Sequence, residues 1–256
     1  MPSGDVAVII PAKNEAERIG ATVAAARGLA GVDLVVVVDD GSGDDTAGKA
    51  SSAGAHVVRH ARNRGKGAAM ETGAEAVKLL ESGELAGRGI RPRHLLFLDA
   101  DLGASAAGAG PLAEPVRTGT ADMTIAIFTD RVRLAGFGFV TSTSGAGIER
   151  ATGWRPAQPL NGQRCLTRAA FAAALPLAPG WGVETGMTID LWRKGLRISE
   201  VEVPLSHRAT GSDWRSQLHR LRQLRDVAWA IAVREQGVSR LVRAVLPARA
   251  QRAMRS

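Results

Sequence analysis

No run of about 18 apolar residues occurs anywhere in the 256-residue chain, which argues against a membrane-spanning helix. The apolar stretch 6–10 is too short for a signal-peptide core, and no positive charge precedes it in Met1-Pro2-Ser3-Gly4-Asp5. A cytoplasmic protein is therefore expected. The single cysteine, Cys165, excludes an internal disulfide and agrees with a reducing compartment. Its expected role is that of a small apolar side chain. Two nucleotide signatures are also missing. The first apolar run is followed by Pro11-Ala12-Lys13 rather than Gly-x-Gly-x-x-Gly, and Gly65-Lys66-Gly67 lacks the spacing of a P-loop.

What is present is a soluble globular composition, in a chain long enough to bury one sizeable core. The formal net charge of +8 is unevenly placed. Residues 207–256 hold 11 Arg, no Lys and 3 acidic residues, so this tail carries the whole net charge and the preceding body is neutral. Such a tail suits an anionic contact, and peripheral attachment to a membrane surface is one expectation. Nucleic acid is disfavoured, because the tail lacks interleaved exposed aromatics.

The first half reads as strands alternating with helices. Strands are expected at 6–10, 34–38, 55–59 and 94–98, and helices at 15–27 (with Asn14 as N-cap), 45–53 and 67–82. Alternation of this kind builds a mostly parallel sheet covered on both faces, with its ligand beyond the carboxyl ends of the strands. Three strands end in polar clusters, at 11–15, 39–42 and 99–101, and these should converge on one crevice. The second half is less regular. Residues 128–155 are rich in Gly, Ser and Thr and read as a functional loop or lid. Helices are expected at 168–175, 183–194 and 214–233, a strand at 196–206, and a short basic amphipathic piece at 238–246.

The chemistry concentrates at the strand ends. Carboxylates at i and i+2 of an extended chain share a side, so Asp99 and Asp101 could hold a hard cation such as Mn²⁺ or Mg²⁺. Gly65-Lys66-Gly67 opens a helix, where backbone N–H groups and the Lys charge could meet a phosphate. Among the tryptophans, Trp181 is the better candidate to stack on a sugar ring, Trp154 a lesser one, and Trp214 is expected in the core.

With these residues in view the chain resembles the GT-A glycosyltransferases of family 2 type. The resemblance rests on Pro11-Ala12-Lys13-Asn14-Glu15, Asp39-Asp40-Gly41-Ser42-Gly43-Asp44-Asp45-Thr46, Asn63-Arg64-Gly65-Lys66-Gly67 and Asp99-Ala100-Asp101. It implies that Pro11, Ala12, Asn14, Glu15, Asp39 and Asp40 line a nucleoside pocket. It further implies that Lys66 meets the diphosphate, that Asp99 and Ala100 lie at the ribose, and that Asp101 binds the metal. Gln158-Pro159-Leu160-Asn161-Gly162, the segment 180–190 and His207-Arg208 are similar to glucosyl-3-phosphoglycerate synthases. That similarity places Gly182 and Glu184 at the donor sugar, gives Glu184 and Lys66 the catalytic roles, and makes His207 a metal ligand. Acceptor contacts would come from Gly138, Phe139, Val140, Thr141 and Arg208. Phe139 stands where the synthases have Arg, which removes the natural anchor of a small anionic acceptor; Arg164 and Arg208 are the substitutes the sequence offers.

The expectation is thus an α/β chain of GT-A fold. Residues 1–127 form the nucleotide-sugar half, 128–213 the acceptor and lid half of the same domain, and 214–256 basic C-terminal helices. Its function would be metal-dependent transfer of a sugar, glucose from UDP-glucose or a close relative, to a small-molecule acceptor. Two alternatives stand beside it: transfer to a polyprenyl or dolichyl phosphate at the membrane surface, and nucleotide binding without turnover. Inversion or retention at the anomeric carbon, and assembly as a homodimer, are left open.

Overall fold

The computed structural model describes residues 5–85, 92–129, 138–205 and 222–234, with backbone alone at 83–85, 138 and 139. Seven strands form one sheet: β1 (Val6–Ala12), β2 (Val32–Asp39), β3 (His56–Arg59), β4 (His94–Phe97), β5 (Met123–Phe128), β6 (Arg164–Leu166) and β7 (Ile198–Val203). Their order is β3-β2-β1-β4-β6-β5-β7. Only β6 runs antiparallel to its neighbours, β4 and β5.

The sheet is mostly parallel because its central strands are apolar on both faces. Val6 to Ile10 are wholly buried, with no side left for water. Val6, Val8 and Ile10 pack with Ile19, Val23 and Ala26 of α1 (Ile19–Arg27) and with Ala106, Ala109 and Leu112 of a 3-10 stretch, Gly103–Leu112. The alternate residues Ala7 and Ile9 face α3 (Lys66–Leu85) through Met70, Ala74 and Val77, and α7 (Val183–Arg193) through Met187 and Leu191. Short helices α2 (Thr46–Ser52), α4 (Glu114–Arg117) and α6 (Arg168–Ala174) complete the layers.

Several boundaries differ from the sequence expectation. Pro11 does not stop β1: it stays in register with Val38 of β2, and on the other side the β4 ladder has already ended at Ile9, so its missing N–H costs nothing. Asn14 does not cap α1, which starts five residues later; Asn14 instead adopts φ 55° inside the connecting loop. The largest difference is the stretch expected to be a loop or lid, which contains a 15-residue helix, α5 (Gly138–Thr152). Its small residues serve close helix packing. A Cβ at Gly147 would lie 2.2 Å from Ile231 Cδ1, and Ser144 shares a buried 2.7 Å hydrogen bond with Thr185 of α7. A last described helix, α8, spans residues 222–234 and packs Val227 and Ile231 against Val140, Ile148 and Ile189. Strands β5 and β6 and the 3-10 stretch had no counterpart in the sequence reading. The expected basic piece at 238–246 and Trp214 lie outside the described residues.

Candidate active site

The polar ends of β1, β2 and β4 do meet, because these strands are adjacent and parallel. The β1–β2 crossing is a web of side chain to backbone bonds. Asn14 N–H donates to Ser42 Oγ at 2.9 Å, Gly43 N–H to Asn14 Oδ1 at 2.9 Å, and Glu15 N–H to Thr46 Oγ1 at 2.9 Å. Pro11 and Ala12 lead into this web, and the Ala12 carbonyl accepts from Asp40 N–H.

The two adjacent aspartates divide their work. Asp39 is fully buried; its Oδ1 accepts from Ser42 N–H, while Oδ2 has no hydrogen bond, although Arg59 Nε stands 3.1 Å away without the angle to make one. Asp40 is not available to a nucleoside, contrary to the sequence expectation. Its Oδ1 takes His60 Nδ1 and Arg64 N–H, both at 2.7 Å, and its Oδ2 takes Gly65 N–H at 2.8 Å. Asp40 therefore shapes the loop before α3, and Gly41 (φ +71°) allows that loop to come close: a Cβ there would lie 2.7 Å from the Arg62 carbonyl carbon.

Beyond β4 the chain turns at Ala100 and Asp101 rather than staying extended, so the argument that Asp99 and Asp101 share a side by strand geometry fails. The turn is held from α1. Thr22 Oγ1–H donates to the Ala100 carbonyl and Oγ1 accepts from Gly103 N–H, both at 2.8 Å, and Arg18 reaches the Asp101 carbonyl.

At the centre stands Lys66, in the first turn of α3. Its Nζ lies 2.8 Å from Asp99 Oδ1 and 2.8 Å from Glu184 Oε1. Burial works against the ammonium, but the carboxylates of Asp99 and Glu184 outweigh it, and the Lys66 pKa is raised. Asp99 Oδ2 accepts from Gln163 Nε2 at 2.8 Å. Gly162 closes the cluster from above: a Cβ there would lie 2.3 Å from Lys66 Nζ and 2.9 Å from Asp99 Oδ1. Sequence reasoning assigned nothing to Gln163, and the only cue to Gly162 was its place at the end of the quoted 158–162 motif.

Other sequence candidates fall elsewhere. Arg164 cannot anchor an acceptor: it is 1% exposed and turned into the protein, and burial pushes its pKa down to about 10 against the opposing charges of Glu184 and Glu200. Val140 is buried in the packing of α5 against α8, so its side chain does not face a ligand either. Gly182 is buried against α8, where a Cβ would meet Ala230 Cβ at 2.7 Å. Trp154 stacks on Trp192 with ring centroids 5.1 Å apart, a packing role, whereas Trp181 is 40% exposed. Cys165 is buried and its thiol is pushed up to about 12 by burial, as befits an apolar filler. Gly138 and Phe139 open α5 and Thr141 is half-buried there; His207 and Arg208 lie outside the described residues.

One cation sits between two carboxylates, at the mouth of a parallel sheet. Residues 7–133 match the family model Glycosyl transferase family 2. Glycosyltransferase AglJ of Haloferax volcanii is 30% identical over 221 residues, covering 83% of this chain and 67% of that protein. The chain belongs to glycosyl transferase family 2. It is a glycosyltransferase of GT-A fold. Glucosyl-3-phosphoglycerate synthase of Mycolicibacterium smegmatis is 30% identical over 217 residues, covering 75% of this family 2 chain and 65% of that enzyme. The structure of the Mycobacterium tuberculosis glucosyl-3-phosphoglycerate synthase with Mn²⁺, UDP-glucose and phosphoglyceric acid superposes with a TM-score of 0.70 at 26% identity, covering 90% of this chain and 79% of that one. The chain thus spans about two thirds of the length of its curated relatives.

Proposed function

We propose that this transferase moves glucose from UDP-glucose, with Mn²⁺ or Mg²⁺, to an acceptor less anionic than 3-phosphoglycerate. The observation that carries the reading is Lys66 held between Asp99 and Glu184 at the strand ends. An ammonium there meets the diphosphate, and Glu184, 5% exposed, accepts from sugar hydroxyls. The buried Asp39 Oδ2, without a hydrogen bond, supports a base that carries an imide N–H, as uracil does and cytosine does not. Arg59, which also donates to the Ser42 carbonyl at 3.1 Å, covers that oxygen, and a base would have to displace it.

The donor set fits a hard cation. Both Asp99 oxygens are engaged by Lys66 and Gln163, and Asp101 is the metal carboxylate that the family motif implies. One or two carboxylates plus phosphate oxygens suffice for Mg²⁺. His207, outside the described residues, is the further ligand that the similarity to the synthases implies. When bound, the metal neutralises charge on the leaving diphosphate. Purified protein should release UDP from UDP-glucose in a donor screen, and EDTA should stop it. Absence of release from every nucleotide sugar tested with either metal would refute the reading.

The acceptor follows from what the site lacks. With Arg164 buried and Phe139 in place of Arg, a phosphate beside α5 loses its charged partner there, which costs several kcal/mol in a partly dry site. Efficient glucosyl transfer to 3-phosphoglycerate would overturn this; a gain of that activity in Phe139→Arg would support it. One observation favours a second reading, a lipid phosphate presented at a membrane and met by cations outside α5. The outer face of α8 exposes Arg222, Arg225 and Trp229, the last at 52%, and the Arg-rich tail follows it in sequence. Co-sedimentation with anionic but not neutral vesicles, and transfer to a polyprenyl phosphate, would select this reading. No described helix is long and apolar enough to cross a membrane.

A further inference from the structure

Among the described residues Arg164 is the largest side chain that is fully buried, and it forms no ion pair with any of them. Its fork ends instead on three backbone carbonyls, one hydroxyl and, more weakly, the Met123 sulfur. Nε–H donates to the Asn161 carbonyl at 2.9 Å and Nη2–H to the Pro159 carbonyl at 3.1 Å. Nη1–H donates to the Glu184 carbonyl at 3.1 Å and to Thr188 Oγ1 at 2.9 Å. The first two acceptors belong to the strap 158–163, which carries Gly162 and Gln163; the other two belong to the first turns of α7, which carries Glu184. These are the two walls that close on Lys66.

A buried guanidinium is expensive, and a well-packed apolar residue is often as good for stability. What an apolar residue cannot do is satisfy acceptors from two elements at fixed spacing, and Lys lacks the planar fork that does so. The rest of the strap is held independently: Asn161 Nδ2–H donates to the Ala126 carbonyl at 2.9 Å, and Gln163 N–H to Asn161 Oδ1 at 3.0 Å. The strap therefore has a place of its own, and Arg164 sets where α7 stands relative to it.

We propose that Arg164 is a positioning residue for sugar transfer, acting through Glu184: its fork fixes the distance between the strap and α7 and thereby holds the Glu184 carboxylate on Lys66. This rests on the transferase reading above, so its test has one arm that needs no turnover. In Arg164→Lys, the side-chain ammonium signal of Lys66, assigned with Lys66→Arg, should lose the slow proton exchange that two carboxylate partners give it. In the same variant kcat should fall roughly 100-fold, the scale of a displacement of about 1 Å at a transfer site. UDP affinity should fall far less than kcat, because Lys66 keeps its Asp99 partner and the Asp39 pocket lies on other elements.

A double-mutant cycle with Glu184→Gln separates positioning from bulk stability. If Arg164 acts through Glu184, Arg164→Lys should add little to the loss already caused by Glu184→Gln. Additive losses would overturn the proposal, as would an unchanged Lys66 ammonium signal in folded Arg164→Lys. Failure of the parent to turn over any sugar nucleotide would refute the transferase reading alone and leave the ammonium arm to decide the Lys66–Glu184 geometry. If Arg164→Lys does not fold, Thr188→Val, which removes one acceptor of the same fork, should show the same direction of change in the ammonium signal. No change there would equally count against it.

Discussion

Lys66 keeps its charge wherever the protein is folded under ordinary conditions. Burial opposes the ammonium, yet Asp99 and Glu184 raise its pKa above the ordinary 10.5. A base whose folded pKa lies above its unfolded value contributes stability that is fully present below the unfolded value and is lost only as pH rises through the folded one. Between pH 6 and 9, therefore, UDP binding measured by calorimetry should show no titration from Lys66, and any slope there belongs to the phosphate or to another group. Lys66→Ala should weaken UDP binding by about 1–3 kcal/mol, the scale of a charge-assisted hydrogen bond, while uridine binds variant and parent alike. A glycine makes the complementary case. Gly162 has no left-handed backbone to protect, so Gly162→Ala should fold as well as the parent, as thermal unfolding would show. Its new methyl would occupy the space of the Lys66–Asp99 contact, and UDP affinity should fall as it does in Lys66→Ala.

Among the elements, the loop 60–65 depends most on one side chain. Asp40 accepts from His60, Arg64 and Gly65, and His60 in turn reaches Thr72 of α3 at 2.9 Å. Asp40→Ala would leave the part-buried Arg64 N–H without its acceptor, at about 1–3 kcal/mol, while Gly65 N–H keeps Asn63 Oδ1. Urea unfolding should report that loss, and UDP affinity should drop with it because the loop leads into Lys66. Asp40→Asn, which keeps one acceptor oxygen, should lose less. The role of Asp40 could not be read from the sequence, since two adjacent aspartates at a strand end look alike until their neighbours are placed. The strands themselves were legible: Val6–Ala12 and Val32–Asp39 are apolar runs followed by polar residues, the signature of buried parallel strands. Helix α5 was not, because a Gly/Ser/Thr-rich segment has the composition of a loop and only the close approach of α7 and α8 shows why it is helical. Nor was β6, whose three residues carry no period at all.

At the level of the whole molecule, the expected division at 127/128 does not separate two sheets. β5 ends at Phe128 and pairs on one side with β6 and on the other with β7, both from the second half. β4 has the same β6 for its outer neighbour. A fragment ending at residue 128 would therefore leave β4 with an open edge and β5 with no partner on either side. Expressed alone it should aggregate or fail to give a cooperative unfolding transition, whereas a stable monomeric fragment would show that the first half folds by itself. The Lys66 site is shared in the same way: Lys66 and Asp99 come from the first half, and Glu184, Gln163 and Gly162 from the second. The sequence reading assigned donor recognition to both halves through Glu184, but the strap above Lys66 emerges only once β6 is threaded.

That threading sets an order of events during synthesis. A strand made late in the chain, β6, must slip between two made earlier, so the outer edge of β4 and the facing edge of β5 stay unpaired until residue 166 has left the ribosome. Contacts of such long sequence separation are slow to form, because loop closure must precede any gain from pairing. Until then, the outward edge of β4 is an apolar template open to any other unfinished chain. A pause in translation before that point would lengthen the exposure, and a chaperone that shields strand edges would shorten it.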